Sequence, residues 1–322
     1  MKKNKKIVCF GGGSAMPTVV LAPLKKYPVA ITAIAAMLES GGSSGQLRMD
    51  FGVLPMGDVR RQILALRQAP EWKKKLFKFR PGREVFDDGH EGHVFGNIFL
   101  SGLEYIFKDV KKVLKVAQEF MEVKGKVLPA TIEKGHLCAI LENGETIFGE
   151  DEIDVPRKHN PNLKIKEIFT NLKVKAFPET LTEIKRADLI IIGPGDLYSS
   201  LIPCFLPEGM KETLKRTRAK KVFICNIMTK LGETNNFTVS DFVNETEKYL
   251  GSPLDFIIYN TKKPSAKRLA DYKKEHPELL DIVKFDKKLI LNKKFIGNNL
   301  LTPSEPINHN PEKIAKIILS LK

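Results

Sequence analysis

The chain has 322 residues, of which 42% are hydrophobic and 28% are charged. These values are typical of a soluble globular protein, and the length allows a sizeable core. The 53 Lys and Arg residues against 38 Asp and Glu residues leave a formal net charge of +15 at pH 7. Because the lysines are spread along the chain and do not alternate with aromatic residues, we predict an anionic small-molecule ligand and no nucleic-acid partner.

The cysteines and the apolar runs indicate the compartment. Cys9, Cys138, Cys204 and Cys225 show no paired spacing, which argues against a disulfide or metal framework and fits a reducing environment. The longest apolar run, 29–38, is too short to span a bilayer. Three glycines also interrupt the apolar region that a signal peptide would need. We therefore predict a cytoplasmic protein without membrane insertion.

The first strong pattern is an apolar strand that runs directly into glycines. Ile7–Phe10 is followed by Gly11, Gly12, Gly13 and Ser14, and a helix is expected to open near Pro17. Glycine lets the backbone turn sharply and approach a ligand closely. The spacing matches neither the dinucleotide fingerprint nor a P-loop, and a tight turn without a ligand is the alternative. We favour a phosphate site made by amides of this loop.

A second polar stretch follows the second predicted strand. Residues 29–38 read as that strand, and the Ser/Gly-rich residues 39–45 read as a loop at its carboxyl end. We expect Ser43, Ser44 and Arg48 to contact a phosphate or a sugar there. A helix carrying two arginines is predicted directly after Asp58.

The next cluster contains two histidines. Asp87, Asp88, His90 and His93 lie close together in the sequence, but their spacing provides no four-ligand metal site. A histidine at the start of a helix, facing phosphate or substrate, is the favoured interpretation. Helices are predicted over 98–107 and 110–121, each with an apolar face.

Residues 126–177 change character, with short β runs and no long helix. An Asn143-Gly144 turn is expected to join His136–Leu141 to Thr146–Phe148 as a hairpin. We predict a small strand-rich insertion over 126–177 within a single domain that spans 1–322.

Parallel strands then resume, and polar residues follow each of them. Residues 188–192 end in Gly193-Pro194-Gly195-Asp196, 221–225 end in Asn226, and 255–259 end in Asn260. Helix starts are predicted at Thr238, with Asp241 completing a capping box, and at Asn310-Pro311. In an open parallel sheet, ligands bind outside the carboxyl ends of the strands. The pattern therefore predicts a nucleotide-sized cleft at one edge of the sheet.

Seven segments carry a family resemblance. They are GGGS at 11–14, GGSSGQLR at 41–48, LPMGDVR at 54–60, GHVFGN at 92–97, GKVLPA at 125–130, ADLIIIGPGDLYSSLIP at 187–203 and CNIMTKLGET at 225–234. Together they resemble the 2-phospho-L-lactate transferase (CofD-like) superfamily, and more narrowly its bacterial gluconeogenesis-factor (YvcK-type) branch. The resemblance implies a Rossmann-like α/β fold, a doubly wound parallel sheet with helices on both faces and a small strand-rich insertion.

Two functions follow from this resemblance. The first is a UDP-sugar-binding regulator, needed for cell morphogenesis and cell-wall growth on gluconeogenic carbon sources, with no required cofactor and a homo-oligomeric, dimeric state. The alternative is a transferase that moves a phospholactate-type group from a nucleoside diphosphate donor to an alcohol acceptor with magnesium. Its candidate catalytic residues are Glu39, Asp58 and His93, and Glu39 is the candidate metal ligand.

Departures from the family pattern favour binding over catalysis. Glu39 and Ser40 stand where the family has two aspartates, and Ser40 cannot supply the charge of a carboxylate to a metal. Ala15-Met16 also makes the first helix start bulkier than the family's Gly-Thr-Gly. The predicted nucleotide contacts are Gly11, Gly12, Gly13, Ser14, Ser43, Ser44, Arg48, Asn97, Gly193, Gly195, Asp196, Ser199, Asn226, Thr229 and Asn260.

Overall fold

Twelve strands and twelve α-helices make up the computed structural model, which describes residues 4–82, 92–286, 288, 292, 294–303 and 306–321. The strands are β1 (Lys5–Phe10), β2 (Val29–Ala35), β3 (Lys126–Pro129), β4 (Leu137–Leu141), β5 (Thr146–Phe148), β6 (Ile165–Thr170), β7 (Leu189–Ile192), β8 (Lys220–Ile224), β9 (Met228–Lys230), β10 (Phe256–Asn260), β11 (Leu279–Ile282) and β12 (Phe295–Asn298). The helices are α1 (Ala22–Leu24), α2 (Gly42–Phe51), α3 (Gly57–Leu66), α4 (Glu71–Lys78), α5 (Phe95–Phe107), α6 (Val110–Phe120), α7 (Glu150–Asp154), α8 (Pro178–Arg186), α9 (Met210–Arg216), α10 (Val239–Leu250), α11 (Ala266–Glu275) and α12 (Pro311–Ser320). Two wide π-helical turns lie at Met16–Leu21 and Leu197–Leu201.

Seven parallel strands form the central sheet in the order β12-β10-β8-β7-β1-β2-β3. β7 lies at the middle, and β1 lies next to it, paired with β7 on one side and β2 on the other. All four residues of β7 are buried, as are the last four of β1. Strands covered on both faces need apolar side chains in both directions, which explains the continuous apolar runs in the sequence.

Alternation along the strands divides the core into two layers. Val8 and Ile190 point into the layer that α8, α9 and α10 cover. Ile7 and Leu189 point into the opposite layer, which α3, α5, α6 and α12 cover. Helices thus pack on both faces, which confirms the predicted doubly wound α/β fold.

The strand-rich insertion is present, but it begins later than predicted. β4 pairs antiparallel with β5 and β6, and the Asn143-Gly144 turn joins β4 to β5 as expected. The predicted start at residue 126 is wrong, because Lys126–Pro129 forms β3 and pairs parallel with β2 in the central sheet. The antiparallel sheet itself lies within 137–170.

The structure also differs from the sequence prediction at the end of β2 and at the start of α2. β2 ends at Ala35, and the Ser/Gly-rich stretch predicted as a loop forms the first turns of α2 from Gly42 onward. The predicted helix starts are confirmed: Thr238 and Asp241 form a capping box, and the Asn310 side chain caps α12. Among the residues that the structure describes, no helix is both long and apolar enough to cross a membrane.

Candidate functional site

The glycine loop after β1 is held by an aspartate from α3. The Gly13 amide donates to Asp58 Oδ1 at 2.8 Å. A Cβ atom on Gly12 would stand 2.0 Å from Asp58 Oδ2, so only glycine allows this approach. Within the described parts of the chain, the amides of Gly12 and Ser14 donate to no protein atom. These two amides are available to a ligand.

Asp58 belongs to a cluster with Glu39 and Arg61. Arg61 Nη2 lies 2.5 Å from Asp58 Oδ1 and 3.4 Å from Glu39 Oε1, so its guanidinium bridges the two carboxylates. Ser44 donates to Glu39 Oε2 at 2.7 Å. Burial raises the pKa of Glu39, with Arg61 opposing and Asp58 adding to the shift. Burial alone would lower the pKa of Arg61, but the two carboxylates outweigh it and raise that pKa.

A chain of polar side chains links α3 to the start of α5. Arg60 Nε donates to Asn97 Oδ1 at 2.8 Å, and Asn97 Nδ2 donates to Ser43 Oγ at 3.1 Å. Ser43 Oγ also lies 3.3 Å from His93 Nδ1. The predicted site residues Ser43, His93 and Asn97 are therefore brought together. Asp87, Asp88 and His90 lie outside the described residues.

A groove of about 530 Å³ opens beside the glycine loop. Five of its lining residues are basic: Arg60, Arg61, Lys74, Lys78 and Arg80. The terminal Nη atoms of Arg60 donate to no described residue. Burial and the neighbouring Arg61 charge lower the pKa of Arg60 to about 10. An anion in the groove would relieve this crowding of positive charge.

A second charged cluster surrounds Lys230 at the end of β9. Lys230 Nζ lies 2.5 Å from Asp154 Oδ1, 3.0 Å from Asp196 Oδ2 and 3.1 Å from Glu233 Oε1. Burial raises the pKa of Glu233 to about 7, although Lys230 opposes the shift. Burial likewise raises the pKa of Asp196. Burial alone would lower the pKa of Lys230, but the negative charges of the three carboxylates outweigh it and raise that pKa.

The turn after β7 meets the end of β8 through an amide side chain. Gly195 N donates to Asn226 Oδ1 at 3.2 Å, and Asn226 Nδ2 donates back to Gly195 O at 2.9 Å. A cleft of about 150 Å³ lies here, lined also by Pro194, Asp196 and His309. Gly193, which precedes a cis peptide bond to Pro194, has φ +75°, which favours glycine.

Four further predicted contacts, besides those described above, also have their polar groups engaged inside the protein. Arg48 donates to Gly135 O at 2.6 Å and to Glu39 O at 3.3 Å. Ser199 donates to Glu233 Oε1 at 2.9 Å. Thr229 Oγ1 lies 3.3 Å from Asp281 O, and Asn260 Oδ1 accepts from Leu300 N at 3.1 Å. A ligand role for these residues stays a prediction, and each one has a structural role.

Sequence reasoning missed the charged residues that come from outside the strand ends. Arg60 and Arg61 were placed on a helix but not in the site, and Lys230, Glu233 and Asp154 were not proposed at all. Lys230 and Glu233 stand within the CNIMTKLGET segment, three residues apart. A lysine and a glutamate at this spacing were the signal in the sequence from which the cluster could have been predicted. Asp154 lies 76 residues earlier in the chain and shows no local signal.

Glu150, at the start of α7, gives a pH-dependent prediction. Its Oε2 accepts from the Ser40 amide at 3.2 Å. Burial, together with the charges of Glu39 and Asp154, raises its pKa from 4.5 to about 8. Because the pKa of Glu150 is higher in the folded state than in the unfolded state, its contribution to stability is fully present below pH 4.5. This contribution is lost as the pH rises through about 8.

We expect Glu150→Gln to flatten the pH dependence of unfolding between pH 5 and 8, because the wild type takes up about one more proton on folding. Urea unfolding at several pH values measures this difference. Glu145→Gln, at an exposed position in the hairpin, is the control. Parallel curves for wild type and Glu150→Gln would contradict the assignment.

A doubly wound parallel sheet with a glycine loop and a cationic groove at its carboxyl edge defines the chain as a Rossmann-like α/β protein. The chain belongs to the 2-phospho-L-lactate transferase CofD family, whose model matches residues 7–301.

Relatives and a solved structure agree over nearly the full length. The gluconeogenesis factor of Bacillus subtilis is 34% identical over 328 residues, covering 100% of this chain and 99% of that protein. The gluconeogenesis factor of Halalkalibacterium halodurans is 35% identical over 324 residues, covering 99% of this chain and 97% of that protein. A crystal structure of a UPF0052 family member from Bacillus halodurans superposes with a TM-score of 0.89 at 34% identity, covering 99% of this chain and 100% of that one. The predicted family membership is confirmed.

Proposed function

We propose that this chain binds a nucleotide-sugar, a UDP-sugar, at the carboxyl edge of its sheet. As a regulator, it is needed for cell morphogenesis and cell-wall growth on gluconeogenic carbon sources. The observation that carries the binding proposal is the cationic groove beside the glycine loop. Its volume, about 530 Å³, falls within the range of small-molecule sites.

The groove supplies the donors that a diphosphate needs. The Ser14 amide lies in the groove wall and the Gly12 amide lies two residues before it; like the Nη atoms of Arg60, which also lines the groove, they donate to none of the described residues. Backbone amides and a guanidinium together form charge-assisted hydrogen bonds with phosphate oxygens. The cleft at Gly195 and Asn226 lies at the neighbouring strand ends, and we assign the nucleoside to it.

The acidic residues do not fit a magnesium ion as the structure holds them. Arg61 already bridges Asp58 and Glu39, and Ser40 replaces a second carboxylate. In the second cluster, Lys230 lies among Asp154, Asp196 and Glu233, whose ligand atoms are all within 4.8 Å of one another. A cationic side chain therefore stands where the metal would bind in both clusters.

Ligand affinity is accordingly expected to be independent of divalent metal. Replacing magnesium by EDTA should change the dissociation constant of a UDP-sugar by less than about threefold, or roughly 0.6 kcal/mol. Calorimetric titration with and without metal measures this change. Loss of binding in EDTA would show that a metal holds the diphosphate.

Transfer of a phospholactate-type group is the second candidate, favoured by the family and by one contact. Asp58 places a carboxylate against the glycine loop, 2.8 Å from the Gly13 amide, where reacting phosphate would lie. Incubation of the protein with a nucleoside diphosphate donor, an acceptor alcohol and magnesium distinguishes the two functions. Release of a nucleoside monophosphate would favour the transferase, and recovery of the intact ligand would favour the regulator.

A thermal-shift panel tests the proposed ligand. A ligand that binds only the folded state raises the melting temperature, and at equal concentration the tighter ligand raises it more. We expect a UDP-sugar to raise it more than GDP or NAD does. Equal shifts across the panel, or none, would overturn the proposal.

A further inference from the structure

The groove beside the glycine loop changes from cationic to apolar along its length. Its floor is the outer face of α3, where Arg60 and Arg61 come first and Leu64 and Ala65 follow four residues later. Residues four apart on a helix lie on the same face, one turn from each other. Leu64 and Ala65 are only partly buried, whereas their neighbour Ile63 is fully buried in the core. The apolar pair therefore contributes exposed surface to the groove.

The first wall of the groove is the helical segment that follows the glycine loop. It contributes three residues: Pro17, Thr18 and Ala22. This segment runs parallel to α3, as two contacts show. Where both begin, the Gly13 amide donates to Asp58 Oδ1 at 2.8 Å. Just after both end, Lys25 Nζ donates to Arg67 O at 2.6 Å. The groove between them therefore leads away from the glycine loop toward its apolar end.

The second wall of the groove comes from α4. Lys74 and Lys78, four residues apart, line the groove from one face of this helix. A lysine can lay its alkyl stem along apolar surface while its ammonium group stays in water. Among the residues that the structure describes, none that lines the groove is acidic. The walls and floor thus combine positive charge with apolar surface, which suits a ligand that is anionic at one end and apolar at the other.

We propose that the groove binds a diphosphate ester of an apolar alcohol. The diphosphate occupies the position proposed for that of a UDP-sugar, at the glycine loop and Arg60, and the inference rests on that position. The apolar chain lies over Leu64 and Ala65 and extends toward Ala22. Burial of the chain removes apolar surface from water and stabilises the complex, while the amides and the guanidinium fix the orientation.

The apolar end of the groove is a poor partner for a sugar. Sugar hydroxyl groups need hydrogen-bond partners when they leave water, and the side chains of this end offer none: Pro17, Ala22, Leu64 and Ala65. A hydrocarbon chain has no such need. Because both ligands require the same two amides and the same guanidinium, they exclude each other. The concentration of the apolar diphosphate would then set how much of the protein binds nucleotide-sugar.

Calorimetric titration of the full chain with geranyl diphosphate tests the proposal, with inorganic pyrophosphate as the ligand that lacks the chain. In metal-free buffer, we expect geranyl diphosphate to bind more tightly than pyrophosphate by about tenfold or more, because several methylene groups are buried. Geranyl diphosphate should also displace a UDP-sugar from the protein.

Variants at the apolar end separate the chain from the diphosphate. Ala65→Phe fills this end, so it should weaken geranyl diphosphate binding by about tenfold and pyrophosphate binding by less than about threefold. Leu64→Gln removes apolar surface without adding bulk and should act in the same direction. Ala270→Phe, at an exposed position on α11 outside the groove, is the matched control and should leave both affinities unchanged. Melting curves check that each variant is folded.

Four results would overturn the proposal. They are equal affinities for geranyl diphosphate and pyrophosphate, unchanged geranyl diphosphate binding in both groove variants, an equal loss in the Ala270→Phe control, and binding of decanoate as tight as that of geranyl diphosphate, which would assign the groove to a fatty acid. Failure of the proposed function gives a different result, because the protein would then bind geranyl diphosphate tightly but no UDP-sugar. Binding of a UDP-sugar without binding of geranyl diphosphate would support the proposed function and overturn this inference alone.

Discussion

Replacing Lys230 by methionine is expected to lower the free energy of unfolding by about 3 to 5 kcal/mol. Lys230 is the cation among Asp154, Asp196 and Glu233, and its side chain is only 9% exposed. Methionine fills similar space but leaves three carboxylates close together without a positive charge. Urea unfolding followed by circular dichroism measures the loss. The defect should shrink as the pH is lowered, because protonation removes the repulsion.

Glu233→Gln is the matched control for this cluster. Glu233 Oε2 accepts from the Tyr198 amide at 2.8 Å, and a glutamine oxygen can accept the same hydrogen bond. One negative charge is lost while Lys230 stays paired with Asp154 and Asp196. Because the glutamine Nε2 would replace Oε1, which lies 3.1 Å from Lys230 Nζ, we expect a loss of about 1 to 2 kcal/mol, smaller than that of Lys230→Met. A Lys230→Met protein as stable as the wild type would show that the cluster does not hold these elements together.

Replacing Arg60 by alanine is expected to weaken UDP-sugar binding by about 10- to 100-fold, or roughly 1.5 to 3 kcal/mol. Arg60 lines the groove, its Nη atoms donate to no residue that the structure describes, and its burial beside Arg61 favours an anionic partner. Calorimetric titration measures the affinity, and thermal unfolding checks that the variant is folded.

Two further variants separate charge from geometry at this position. Arg60→Lys keeps the positive charge but loses the planar fork that binds two phosphate oxygens, so we expect an intermediate loss. Lys185→Ala removes a charge on α8, outside the groove, and should leave affinity unchanged. If Arg60→Ala binds as tightly as the wild type, the diphosphate lies elsewhere.

The sequence predicted the positions of the strand ends well, because each buried strand is apolar throughout and is followed by glycine or a polar residue. Gly11 after β1, Gly193 after β7 and Asn226 after β8 all lie at the carboxyl edge. The chain-local signals, such as the Thr238 capping box, were equally reliable.

The form of the Ser/Gly stretch could not be predicted from propensity. Glycines disfavour helices, and the stretch therefore read as a loop. In the structure, a Cβ atom on Gly45 would stand 2.1 Å from the Ser40 carbonyl oxygen. The glycine is required because α2 approaches the preceding backbone, and this tertiary contact outweighs the helix propensity.

The sequence also could not show which arginine, Arg48 or Arg60, faces the ligand. Arg48 and Arg60 each follow a glycine-containing motif, and only Arg48 was assigned to the ligand. The structure turns Arg48 toward the Gly135 carbonyl and Arg60 toward the groove. Which way a helix faces depends on what packs behind it, and here the partner comes from the segment between β3 and β4, 87 residues away.

The place of β1 inside the sheet, between β7 and β2, has a consequence for synthesis of the chain. Ile7 pairs with Ile31 on one side, but its neighbour on the other side is Leu189, roughly 180 residues later. At about 5 to 20 residues per second, the ribosome needs roughly 10 to 40 seconds to deliver that neighbour. During this interval the nascent protein carries an apolar strand with one open edge, the kind of edge that recruits other chains. We expect this open edge of β1 to be the part of the nascent chain most exposed to wrong pairing until β7 has been made.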